Sequence, residues 1–226
     1  MAGRGKLIPE VMDTMQNVYL LNAEGKFEPA VNPLNRYSTV GRGLTGEHLG
    51  PSYSFAKEMA SKKCPIGLVV NARGGTSIGS WMKNDKKPGG LYDEALHRAK
   101  EAMKYGKFKA ILWHQGEADC HKSEVYKKKI VQLMTDFRND LGIPDLPVIV
   151  GQIAEWNWTK KPYMPEGTKP FNDMMKEISS FLPNSACVSS EGLTPLKNEK
   201  DPHFDANSQL ILGRRYAEAA KKLIKR

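Results

Sequence analysis

The feature that most constrains the fold is the alternation of short apolar runs with longer amphipathic segments. The runs are three to six residues long, are rich in Val, Ile, Leu and aromatic residues, and do not alternate strictly with polar residues. This pattern is typical of strands that are covered on both faces. The predicted strands are residues 18–21, 66–71, 110–113, 148–152 and 187–189.

The segments between these strands have the spacing of amphipathic helices. Residues 123–141 place Ile130, Met134 and Phe137 on one face and stop before Gly142, a usual residue after a helix end. Asp205 is a plausible N-cap for the last helix. The predicted helices are residues 54–61, 92–105, 123–141, 171–182 and 206–224. Alternating strands and helices predict an α/β fold with a parallel sheet in a three-layer α/β/α sandwich. We expect one domain over residues 1–226.

Composition excludes several classes of protein. The net charge is +9, but the basic residues fall largely on helical segments without interleaved aromatics, so they favour a solvated face over a nucleic-acid site. No apolar run approaches the roughly 20 residues that span a bilayer. The three cysteines are far apart, which predicts neither a disulfide framework nor a zinc site. We therefore expect no nucleic-acid partner, no membrane partner and no metal.

Three polar segments follow predicted strands or precede the last helix, where open α/β sheets collect their chemistry. In residues 113–119, Gln115 has two hydrogens to donate to a developing oxyanion, and Glu117 or Asp119 could orient a base. The alternative is a hydrogen-bonded turn that closes the strand. In residues 201–205, His203 is a candidate general base, although a structural histidine is the usual case for an isolated one.

The third segment, residues 71–81, contains Gly74 and Gly75, which would let a backbone N–H approach a ligand closely. A simple tight turn is an equal alternative. A phosphate loop is disfavoured because its lysine is absent. Ser77 lacks the Gly-x-Ser-x-Gly context of a nucleophile.

Taken in series, these segments resemble the sialate O-acetylesterase and acetylxylan esterase group, carbohydrate esterase family 6 of the SGNH or GDSL-like hydrolases. The resemblance covers essentially the whole chain, and its most specific part is Trp-His-Gln-Gly-Glu-Ala-Asp at residues 113–119. The other matching motifs are Met-Ala-Gly-Arg-Gly at 1–5, Gly-Pro at 50–51, Phe-Ala at 55–56, Gly-Gly-Thr-Ser at 74–77 with Trp81, His-Phe-Asp at 203–205 and Leu-Gly-Arg-Arg-Tyr-Ala at 212–217.

The resemblance implies a flavodoxin-like parallel sheet and a serine nucleophile. In this family a central first strand ends in Gly-Gln-Ser-Asn, directly before Met-x-Gly-Arg-Gly. This sequence begins at the methionine of that block, so we expect the nucleophile and its strand to lie upstream of residue 1. The chain as given should then have little or no activity.

The resemblance also assigns roles to residues that are present. It makes His203 the base, with Glu117 as the first choice and Asp201 as the second for the acid that holds it. It makes the Gly75 N–H and the Gln115 side chain oxyanion donors, and Thr76 and Trp81 substrate-binding residues. Two further tryptophans, Trp156 and Trp158, could stack on a sugar or simply pack.

The expected function is therefore hydrolysis of acetyl esters on acetylated xylan or O-acetylated sialic acid, without a cofactor. The resemblance favours an extracellular or periplasmic location. The alternative is a catalytically inactive relative that only binds carbohydrate. A nucleotide-binding protein is a third hypothesis, which conflicts with the lack of a phosphate loop.

Overall fold

Within the described residues, the strands form two three-stranded sheets. The computed structural model describes residues 3–38, 48–84, 89–156, 168–198 and 201–224. One sheet has the order β2 (Phe27–Pro29), β1 (Val18–Leu21), β3 (Ile66–Leu68), and the other has the order β4 (Ile111–Trp113), β5 (Val148–Gly151), β6 (Ser185–Val188). All neighbouring strands are parallel except β1 and β2, which pair antiparallel. The predicted α/β class with a parallel sheet is confirmed.

The helices are α1 (Ser52–Met59), α2 (Leu91–Ala102), α3 (Ser123–Leu141), α4 (Thr168–Lys176), α5 (Ile178–Phe181) and α6 (Ala206–Leu223). The bounds of α3 are those predicted, and it ends at Gly142 with a left-handed backbone (φ 68°). The predicted helix 171–182 is instead divided between α4 and α5. Strand β2 was missed because it is a short, part-exposed edge strand that ends in a proline, so it has no apolar run.

The core is built around β5, whose four residues are all buried. The apolar face of α3, with Ile130, Met134 and Phe137, packs in the same cluster as Val148 and Val150 of that strand. Helices α1 and α6 pack together in a second cluster that contains residues of both sheets.

A glycine permits the close packing of α1 and α6. A Cβ added at Gly213 would lie 2.1 Å from Ser54 Oγ and 2.2 Å from the carbonyl oxygen of Pro51. Any larger residue there would therefore force the two helices apart.

The polar segments meet at one edge of this arrangement. The amide of Gln115, just after β4, donates to the carbonyl oxygen of Thr76, in the loop after β3, and so joins the carboxyl ends of the two sheets. The N-terminal segment packs closely against the start of α6. A Cβ added at Gly5 would lie only 3.3 Å from Ala206 Cα. In the part of the chain that the structure describes, no helix combines the length and apolar character needed to cross a membrane. That residues 1–226 form one domain stays a prediction.

Candidate active site

An Asp–His pair lies in the loop before α6. Asp201 Oδ1 is 2.6 Å from His203 Nδ1 and also accepts a hydrogen bond from the backbone N–H of His203 at 3.0 Å. An aspartate that accepts from the N–H two residues later forms a local turn, so Pro202 between them does not prevent the contact. The acid two residues before the histidine is therefore the one that holds it.

This contact fixes which nitrogen of His203 can act as a base. A carboxylate only accepts hydrogen bonds, so Nδ1 carries the proton and Nε2 keeps its lone pair. The Asp201 side chain is 13% exposed and that of His203 is 32% exposed, so the acid is shielded while the imidazole reaches solvent. Among the described residues nothing hydrogen-bonds to His203 Nε2. The pair is thus arranged as an acid and a general base.

Glu117, the first choice for the acid in the sequence interpretation, is not the partner of His203. Its carboxylate instead accepts a hydrogen bond from the backbone N–H of Gly116 at 3.2 Å. Burial, with a smaller contribution from Glu117, raises the pKa of the Cys120 thiol to about 11. In the structure Asp201, and not Glu117, contacts His203, because the turn at Asp201 makes a contact that sequence spacing did not show. Which of the two acids serves in catalysis stays a prediction.

Gln115 is 8% exposed and is committed to a network between loops. Its side-chain amide donates to Thr76 O at 3.0 Å and to Asp119 Oδ2 at 2.8 Å. The same carboxylate oxygen of Asp119 accepts the N–H of Ile78 at 2.8 Å. Both amide hydrogens of Gln115 are used, so an oxyanion role for this side chain stays a prediction that requires it to give up one of these bonds.

Gly75 has the geometry expected of a backbone oxyanion donor. It is exposed, its φ is 71°, and a Cβ added there would meet nothing within 4 Å. Its N–H makes no hydrogen bond within the described residues. A positive φ favours glycine over other residues, and this explains the need for glycine at this turn. The donor role remains a prediction.

Thr76 and Trp81 stabilise the turn that carries Gly75. The hydroxyl of Thr76 donates to Arg73 O and accepts the indole N–H of Trp81, both at 3.0 Å. Trp81 is 5% exposed and packs edge-to-face against Trp113, with ring centroids 5.6 Å apart. The core covers most of the Trp81 ring, and the predicted substrate-binding role of Trp81 stays a prediction. Contact between Thr76 and substrate stays a prediction.

A buried histidine next to this site was not predicted to take part. The hydroxyl of Tyr216 donates to Trp113 O at 3.1 Å and lies 3.0 Å from His114 Nδ1. Since the hydroxyl has one proton, His114 Nδ1–H must be the donor to Tyr216. Burial lowers the pKa of His114 well below its ordinary value, so it is neutral. Its ring contacts Phe204, the residue after His203, with centroids 5.9 Å apart.

Sequence reasoning missed Tyr216, which gives no local signal inside an amphipathic helix, and it undervalued Asp119. Trp158 lies outside the described residues. A surface depression of about 460 Å³ between the starts of α3 and α4 contains none of the predicted site residues. Within the described ranges, no three His, Cys, Asp or Glu side chains form a group that could hold a metal ion.

The fold is α/β, and an Asp–His pair of the kind that hydrolases use lies against the segments that follow β4 and β5. The comparisons with known proteins agree. The family model described as carbohydrate esterase, sialic acid-specific acetylesterase matches residues 1–222. The chain belongs to this family of carbohydrate esterases.

Individual proteins are similar to this chain in sequence or in fold. A probable carbohydrate esterase of Arabidopsis thaliana is 30% identical over 224 residues, which are 95% of this chain and 78% of that protein. The crystal structure of a protein from Arabidopsis thaliana superposes with a TM-score of 0.79 at 29% identity, covering 100% of this chain and 94% of the other. A carbohydrate acetylesterase from Xanthomonas citri shares the fold, with a TM-score of 0.63 at 20% identity over 95% of this chain and 48% of the other.

Proposed function

We propose that this protein hydrolyses acetyl esters on carbohydrates through a serine acyl-enzyme, with acetylated xylan or O-acetylated sialic acid as the substrate. The observation that carries the proposal is the Asp201–His203 pair, whose Nε2 lone pair is available to accept a proton. The family supports the acyl group and the sugar class, since its description names acetylesterases.

The nucleophile in this proposal is a serine upstream of residue 1. Among the described residues no hydroxyl hydrogen-bonds to His203. The packing of Gly5 against the first residue of α6 brings the N-terminal segment to the same end of the helix as His203. A serine a few residues before residue 1 would therefore lie at the edge of the sheets that carries His203.

The proposed reaction has two stages. The serine Oγ attacks the acetyl carbonyl while His203 Nε2 takes its proton, and the Asp201 carboxylate stabilises the imidazolium that forms. The oxyanion is stabilised by the N–H of Gly75 together with that of the serine itself. The acyl C–O bond then breaks as the His203 imidazolium gives its proton to the departing sugar oxygen, and a water activated by the same base hydrolyses the acyl-enzyme. No step uses a cofactor.

The test is p-nitrophenyl acetate hydrolysis by this chain beside a longer form that carries the upstream Gly-Gln-Ser-Asn segment. We expect activity in the longer form only, and its loss in a His203→Ala variant. Release of acetate from acetylated xylan and from O-acetylated sialic acid then identifies the sugar. Equal rates in both forms that do not depend on His203 would exclude the serine esterase and favour a protein that only binds carbohydrate.

A further inference from the structure

The loop that holds the Asp–His pair is fixed from outside by a tryptophan of another loop. Trp156 follows β5, and its indole N–H donates to the backbone carbonyl oxygen of Asp201 at 2.9 Å. Its ring also packs edge-to-face against Phe204, with centroids 5.5 Å apart. One side chain therefore contacts the loop on both sides of His203.

Within the described residues, the hydrogen bonds given for the backbones of Asp201 and His203, apart from the one to Trp156, are local. Asp201 N–H donates to Asn198 O at 2.8 Å, and Leu196 N–H donates to His203 O at 2.7 Å. The Asp201 carboxylate is directed to His203 itself. These bonds hold the loop together but do not attach it to the strands. In the described part of the chain, the indole N–H is the hydrogen bond that ties Asp201 to the segment after β5.

We propose that Trp156 is a positioning residue for the Asp201–His203 pair and not a platform for sugar stacking. Tryptophan suits this task because its rigid ring packs on an apolar neighbour while its N–H reaches a polar partner. Phe204 is fully buried and its ring contacts those of both Trp156 and His114, so the ring contact fixes the end of the loop where α6 begins. The hydrogen bond fixes the other end. As a role in catalysis, this proposal rests on the proposed function.

The first test measures the geometry of the pair in the chain as given and needs no enzymatic activity. Ring ¹⁵N chemical shifts of His203 in ¹⁵N-histidine-labelled protein, recorded at alkaline pH, report which nitrogen carries the proton. We expect Nδ1–H in the native chain and a mixture rich in Nε2–H in a Trp156→Phe variant, which keeps a ring but loses the donor. A Trp113→Phe variant is the control, because it loses an indole N–H bond to Tyr126 at 2.9 Å, outside this loop.

Unchanged Nδ1–H in Trp156→Phe would overturn the proposal. If that variant fails to fold, benzothienylalanine at position 156 replaces only the N–H with sulfur and keeps the shape of the ring. The shift of tautomer is then expected with that substitution, and its absence again contradicts the inference.

The second test uses the longer form with its serine. A positioning residue acts on kcat, so we expect Trp156→Phe to lower kcat about tenfold and leave KM unchanged, because small misplacements of a reacting group are costly. A raised KM with unchanged kcat would show that Trp156 contacts the sugar instead. If the longer form proves inactive, the proposed function fails, while the tautomer experiment still decides the structural role of Trp156.

Discussion

Replacing Asp201 with asparagine tests the central arrangement of the site. Asparagine has the shape of aspartate and can still accept the backbone N–H of His203 through its carbonyl oxygen. Its NH₂ group, however, would donate to Nδ1 and favour the tautomer with the proton on Nε2. That tautomer cannot accept a proton from a serine, and the charge that stabilises the imidazolium is lost as well.

The size of the effect follows from the geometry. A hydrogen bond to a charged group contributes about 1.5–3 kcal/mol, and each 1.36 kcal/mol is tenfold in rate, so loss of the pairing alone costs roughly 10- to 150-fold. The wrong tautomer adds to this, and the equivalent change in a fully buried triad costs about 10⁴ in kcat. Since His203 is 32% exposed and can reorient in water, we expect a loss of about 10²–10³ in kcat/KM.

The assay is p-nitrophenyl acetate hydrolysis by the longer form, with ring ¹⁵N shifts of His203 in the same variant. Glu117→Gln is the matched control, because it neutralises the other candidate acid without changing its shape. We expect Glu117→Gln to alter kcat/KM far less than Asp201→Asn. A larger loss in Glu117→Gln than in Asp201→Asn would refute the assignment drawn from the 2.6 Å contact and restore Glu117 as the acid.

Three further predictions concern stability and reactivity. The Asp205 carboxylate caps α6 by accepting the backbone N–H of Ser208 at 2.7 Å. Asp205→Ala removes this cap and should lower the free energy of unfolding by about 1–2 kcal/mol, measured by urea titration, without changing the dependence of that free energy on urea concentration. Burial lowers the pKa of His114 below its ordinary value of 6.5, so this histidine stays neutral in the folded protein. Below about pH 6.5 the unfolded chain therefore binds more protons than the folded protein, and the free energy of unfolding should fall as the pH is lowered. The fall should be smaller in His114→Gln. Cys64 is exposed, whereas burial raises the pKa of Cys120 to about 11 and of Cys187 to about 12, so a thiol reagent at neutral pH should modify Cys64 in the native protein and all three cysteines only after unfolding.

The elements that sequence predicted well are those whose signal is local. Helix α3 was located to the residue because its apolar face repeats without interruption and a glycine follows it. The N-cap role of Asp205 was also predicted correctly, since a cap depends on only four consecutive residues. Strand β2 could not be found in this way, because its pairing with β1 is decided by tertiary contact and not by its own composition.

In the candidate site, too, the sequence predicted what depends on local residue types but not what depends on tertiary contacts. Residue types at strand ends indicated the three polar segments, and contacts join these segments in series, from Thr76 to Gln115 and from His114 to Phe204. What the sequence could not supply was the assignment of individual hydrogens. Both amide hydrogens of Gln115 are used in hydrogen bonds that hold loops together. Asp201 Oδ1 contacts His203 because the backbone forms a turn between these two residues.

The use of both Gln115 amide hydrogens within the loops affects how an oxyanion would be bound. If the Gln115 amide keeps both of its bonds, the stabilising donors are backbone N–H groups, with Gly75 as the one that this chain contributes. Gln115 then acts on the reaction through the loop it fixes, because its bond to Thr76 O holds the residue directly after Gly75. Oxyanion stabilisation would in that case depend on the rigidity of the 75–78 turn, to which Asp119 and Trp81 also contribute hydrogen bonds. Under the proposed mechanism, the polar run at residues 113–119 would support a backbone donor, which a search for side-chain donors would overlook.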